Sequence, residues 1–168
     1  MLAHVASIKS SIRVSAYGFT SKRVAQALVD AKNRGVDVQV VVDYKENVTS
    51  DTYGTSKAAL SMLLAVGIPV RTVSKFPIHH DKFMVGDGLT VQNGSFNYTN
   101  AATYSNSENV MVVSDAPTAA AYLTHWTSRW NMGIPYVPPT GVVHAVKKAI
   151  KKVLGQGQVS EQSSPKAS

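Results

Sequence analysis

Apolar residues at Leu2, Val5 and Ile8 recur at helical spacing and predict a short helix running to about Lys9. Ile12-Arg13-Val14-Ser15-Ala16-Tyr17 then alternates apolar and polar side chains, which predicts a first strand ending at Gly18. Thr20 and Ser21 are candidate N-caps for a helix with Val24, Ala27, Leu28 and Ala31 on one face, and Gly35 stands where that helix would stop. The second strand is Val36 to Asp43, whose Val40–Val42 run is continuously apolar and suits a strand covered on both faces. Tyr44 to Gly54 reads as a polar loop, Ser56 to Val66 as a helix with Ala59, Leu60, Leu63 and Leu64 inward, and Pro69 to Val73 as a third strand. His80 to Val85 and Leu89 to Gln92 flank Gly86-Asp87-Gly88 and predict a hairpin. Glu108 to Val113 follows as a strand, and Pro117 stands near the start of a helix presenting Ala119, Tyr122, Leu123, Trp126 and Trp130.

Strands alternating with helices argue for βαβ units, and the hairpin adds an antiparallel pair. The expected fold is therefore α/β, with a mixed, mainly parallel sheet flanked by helices. The expected domain covers residues 1–132. After it, Pro135, Pro138 and Pro139 mark a linker over 133–140. Gly141 to Leu154 is a candidate amphipathic helix with Lys147, Lys148, Lys151 and Lys152 on one side, and Gly155 to Ser168 reads as a disordered polar tail. There is no internal repeat.

Composition narrows the function classes. With 168 residues, 44% of them hydrophobic, the chain can build one real core but not two sizeable domains. Seventeen Lys and Arg against ten Asp and Glu give +7, which favours a polyanionic partner, either nucleic acid or an anionic membrane surface. The basic segment from Gly141 to Leu154 is either a solvated face or a contact for one of these. With no cysteine, thiol catalysis, disulfides and thiolate zinc sites are excluded. No apolar run reaches the roughly 20 residues of a membrane-spanning helix, and Met1-Leu2-Ala3-His4 lacks the features of a secretory signal.

The chemistry concentrates between His80 and Glu108. In an extended strand His80 and Lys82 point the same way, about 7 Å apart, while His79 points to the other face as a structural residue. The hairpin returns Gly94-Ser95-Phe96-Asn97 beside them. Cleaving a phosphate ester needs a nucleophile, a proton for the leaving oxygen, and positive charge or hydrogen-bond donors on the non-bridging oxygens. His80, Lys82 and Asn97 supply such a set, with Ser95 serving either the phosphate or the turn backbone. Asp87 sits where a tight turn favours it, which argues for a structural role. His4, His125 and His144 show no comparable pattern.

His80, Lys82 and Asp87 fit an HxKxxxxD signature, and Gly94, Ser95 and Asn97 fit a GSxN element. With Ala16 to Thr20, Ser107-Glu108-Asn109, His125-Trp126 and Arg129-Trp130, the chain resembles the phospholipase D superfamily over roughly residues 2–132. The nearest resemblance is to small bacterial phospholipase D-like endonucleases of the Nuc type. It implies histidine attack through a phosphohistidine, Glu108 orienting the His80 imidazole, and no metal or other cofactor. Since one histidine cannot both attack and protonate on opposite sides of phosphorus, the single HxK implies a homodimer with the site at its interface. The expected substrate is nucleic acid, DNA or RNA; the alternatives are phospholipase or phosphatidyl-transferase activity on membrane lipid, and a binding module without turnover. Relatives usually begin with one more strand and are exported, so an upstream signal and a periplasmic location are the expectation if sequence precedes Met1, and a cytoplasmic one otherwise.

Overall fold

A computed structural model describes residues 1–138; the expected basic helix and polar tail lie outside the described residues. The elements are α1 (Leu2–Ser7), β1 (Ser11–Ala16), α2 (Lys22–Asn33), β2 (Asp37–Asp43), α3 (Thr55–Ala65), β3 (Val70–Val73), β4 (Lys82–Gly86), β5 (Thr90–Gly94), α4 (Asn100–Tyr104), β6 (Val110–Ser114), α5 (Ala116–Met132) and β7 (Ile134–Pro135). The seven strands form one sheet in the order β6-β5-β4-β1-β2-β3-β7.

The sheet is mixed and flanked by helices, but "mainly parallel" needs correction. Only β1–β2 and β2–β3 pair in parallel, while β1–β4, β4–β5, β5–β6 and β3–β7 are antiparallel. The cause lies in the connection from β3 to β4. Residues 74–81 form no helix, so the chain has no crossover to return it in parallel and enters beside β1 in the opposite direction. The sheet also continues past the expected boundary at residue 132, since β7 pairs with β3 and Tyr136 is buried.

Apolar alternation sorts the strands onto two cores. Val40 and Val42 join Val14, Met84, Leu28, Leu60 and Leu63 on the face covered by α1, α2 and α3. Val41 points the other way, into a smaller cluster with Phe83, Val85, Val91, Ala119 and Trp126 under α5. Trp126 fixes α5 to the sheet by donating its indole N–H to the Val14 carbonyl at 2.9 Å. Side chains cap α2, α4 and α5: Ser21 accepts from the Val24 amide, Thr99 from Ala102, and Asp115 from Thr118.

The segment expected as a polar loop after β2 begins with a π-helical turn, Lys45–Thr49, whose Asn47 is fully buried. The Asn47 amide donates to the carbonyls of Tyr17 and Asp43 and its oxygen accepts from the Phe19 amide. A buried amide with this many partners locks the ends of β1 and β2 together. Both parallel strands therefore end in fixed positions on the side of the sheet where the polar residues gather.

Candidate active site

β4 begins at Lys82, so His79, His80 and Asp81 enter the sheet as an irregular segment rather than as the extended strand expected. The β1–β4 ladder ends at Ala16 opposite Lys82, and beyond it the Tyr17 amide donates to the Asp81 carbonyl at 2.6 Å. His80 stays exposed, its ring edge-on to Tyr17 with centroids 4.8 Å apart. Lys82 is 9% exposed, donates to the His80 carbonyl at 3.1 Å and lies 5.3 Å from the centre of the Tyr17 ring. Burial lowers the lysine's pKa, while the charges of Asp81 and Glu108 pull it back up. Tyr17 is anchored in turn, donating its hydroxyl to Glu46 at 2.9 Å.

β5 delivers the second half. Gly94 lies so close to β6 that a Cβ there would stand 2.2 Å from the Asn109 carbonyl oxygen, so only glycine lets the two strands meet. Just beyond it, Ser95 donates its hydroxyl to Glu108 and accepts from the Asn109 amide at 3.1 Å. Asn97 lines the same cleft as His80, Lys82 and Ser95, and its amide has no protein partner among the described residues. The cleft has a volume of about 710 Å³.

Within the chain, Glu108 stands beside Ser95. Its carboxylate accepts from Ser95 and from the Asn106 side chain at 2.9 Å, and these bonds hold its pKa below the usual range; no bond to the His80 imidazole is among its contacts. Ser95 and Asn109 bond to each other across the start of the β5–β6 ladder, which sets Glu108 directly beside the serine.

Asp87 occupies the hairpin turn in the left-handed region, at φ 55°. Its carboxylate accepts from the backbone amides of Lys9, Ser10 and Ser11 and from the Ser10 hydroxyl, at 2.7–3.2 Å. Burial opposes ionisation, but these donors outweigh it and lower the pKa to about 2. Asp87 thus ties the turn to the start of β1, and it does not line the cleft.

Sequence reasoning missed Asp81 and His125. One carboxylate oxygen of Asp81 receives His125 Nε2 at 2.8 Å, His79 Nε2 at 2.9 Å and the Ser15 hydroxyl at 2.9 Å. His79 is 2% exposed, and its backbone amide donates to Asp43 at 2.7 Å. Burial would raise the Asp81 pKa, yet the bonds from His79, His125 and Ser15 hold it well below the carboxylate range. His125 comes from α5, 44 residues along the chain, and no local pattern signals that pairing.

The seven-stranded sheet, with a histidine–lysine pair at the entry to β4 and a glycine–serine–asparagine turn leaving β5, defines a phospholipase D-like fold. The sequence family described as "Cardiolipin synthase, PLD-like domain" matches residues 1–130, and the chain belongs to it. The solved structure of Nuc, a phospholipase D family member from Salmonella typhimurium, is 46% identical, with a TM-score of 0.77 over 80% of this chain and 87% of that one. A phospholipase D from Rickettsia bellii is 37% identical over 122 residues, 72% of this chain and 57% of that protein. A mitochondrial cardiolipin hydrolase from Chlamydomonas reinhardtii is 28% identical over 131 residues, 78% of this chain and 56% of that protein. The chain thus spans little more than half the length of these last two relatives.

Proposed function

We propose that this protein is a phosphodiesterase that cleaves nucleic acid, a nonspecific endonuclease working through a phosphohistidine at a homodimer interface. The observation that carries the reading is the single cleft onto which His80, Lys82, Ser95 and Asn97 open. Similarity to Nuc at 46% identity favours nucleic acid over lipid as the substrate.

In this reading Lys82 and the Asn97 amide hold the non-bridging oxygens of a phosphodiester, and the His80 imidazole attacks phosphorus. The P–O bond to the leaving group breaks as the P–N bond forms, and the departing oxygen takes a proton from His80 of the partner subunit. Water then attacks phosphorus from that side, giving its proton to the same imidazole and releasing His80. Tyr17 keeps the nucleophile's ring in place. No step calls for a metal ion.

The edge strand β6 supports pairing of two copies. Val110, Met111 and Val112 are 40%, 58% and 45% exposed, and because successive strand residues face opposite ways, both faces of this edge are apolar and uncovered. β6 pairs with β5 at Asn93 and Gly94, which line the cleft, so a second copy seated on this edge comes beside His80.

Plasmid DNA and phospholipid vesicles incubated in parallel with EDTA present test the reading. Nicking and fragmentation of the DNA are expected, with loss of at least about 1,000-fold in the His80→Ala variant while DNA binding persists. Turnover of vesicles alone would overturn the nuclease reading. Complete loss of activity in EDTA, restored by magnesium, would overturn the metal-free chemistry.

A further inference from the structure

The cleft is larger than the reaction needs. A single phosphate engages His80, Lys82 and Asn97, yet the cavity continues along the sheet to Asn93, Tyr122 and His125 beneath α5. This second half has its own polar architecture. Asn93 donates its side-chain amide to the Tyr122 hydroxyl at 3.0 Å, which leaves the tyrosine's proton free to donate into the cleft. Tyr122 packs edge-on against Phe83, with ring centroids 4.9 Å apart, and His125 packs on the same ring at 5.7 Å. Neither side chain can easily swing away.

His125 is the informative member. Its Nε2 is fixed on Asp81, while Nδ1 has no protein partner among the described residues and is not a buried atom. The side chain remains 39% exposed where it borders the cleft. The half-buried Asp81 carboxylate fixes the orientation of this imidazole, which stands at the cleft wall beside the reacting group. The free Tyr122 hydroxyl proton and the second amide hydrogen of Asn93 are donors beside this imidazole, and the one Asp81 oxygen near them is already taken up by His125, His79 and Ser15. Such a set suits an anion.

Resting on the phosphodiesterase reading, we propose that His125, Tyr122 and Asn93 form a subsite for the phosphate next to the scissile one on the same nucleic-acid strand. Asp81 is its positioning residue. The protein thereby favours a substrate with phosphates in series over one with a single diester. Cleavage proceeds at the His80 end, while the subsite sets the register of the strand.

Two substrates separate this from the underlying reading. Bis(p-nitrophenyl) phosphate has one phosphate and reaches only the His80 end; a short single-stranded oligonucleotide fills both. His125→Ala should lower kcat/KM for the oligonucleotide, mainly through KM, about tenfold more than for the small diester, as expected for losing a charge-assisted hydrogen bond. Tyr122→Phe keeps the packing on Phe83 and should lower the same ratio in the same direction, at an unchanged melting temperature. Equal losses on both substrates, or no loss on either, would overturn the subsite. Wild-type protein that hydrolyses the small diester but not the oligonucleotide would instead overturn the nuclease reading.

Discussion

Asp87 shows what one carboxylate does when backbone amides converge on it. Three amides and a hydroxyl point at it, so its charged form is favoured in the folded state and its pKa falls to about 2, against roughly 3.9 in an unfolded chain. A lowered carboxylate pKa adds stability that is complete above the unfolded value and is lost as pH falls through the folded one. Asp87→Asn keeps one acceptor and tolerance of the left-handed backbone, and so removes only the charge. After allowing for solvent screening, the variant should be less stable by about 1 kcal/mol at neutral pH. In urea titrations the gap should close between about pH 4 and pH 2; a constant gap would show that charge is not what the turn uses. Cleavage of a small diester by this variant should track its folded fraction, because Asp87 does not line the cleft.

Between elements, the decisive distances are those a local pattern cannot carry. Gly94 brings β5 against β6, and Gly94→Ala must push the Asn109 carbonyl away from a Cβ that would stand 2.2 Å from it. About 1–3 kcal/mol of destabilisation is expected, with activity lost beyond the folded fraction because Ser95 and Glu108 part; thermal melts beside diesterase rates check it. The elements themselves were largely legible. Helical periodicity marked α2, α3 and α5, and the apolar Val40–Val42 run marked a strand covered on both faces. α4 was not foreseen, since five residues are too short for a periodic signal. The antiparallel place of β4 was missed because a residue pattern reveals that a strand exists, not which neighbour it takes. The site divides in the same way. His80, Lys82, Ser95 and Asn97 lie close in sequence and were readable as a group, whereas Asp81–His125 and Tyr17–His80 are meetings across the fold.

For the whole molecule, the open question is whether one folded chain makes one active centre. Residues 1–138 carry twelve Lys and Arg against nine Asp and Glu, a net +3, so more than half of the +7 comes from residues 139–168. In the proposed nuclease this charge gathers a polyanionic substrate around the protein, whereas the chemistry inside the cleft is a matter of its own side chains. In-line displacement needs an acid opposite the nucleophile, and the proposed dimer supplies it as a second His80 across a twofold axis. That symmetry has a countable consequence. If each dimer holds a single centre requiring both His80 side chains, mixing wild type with an equal amount of His80→Ala and letting subunits exchange leaves about one dimer in four fully active. Activity per total protein should then settle near a quarter of the undiluted wild-type value. If each chain worked alone it would stay near one half, because the variant would only dilute the wild type. Measuring the rate against time after mixing adds a second check, since the fall from a half to a quarter should follow the rate of subunit exchange.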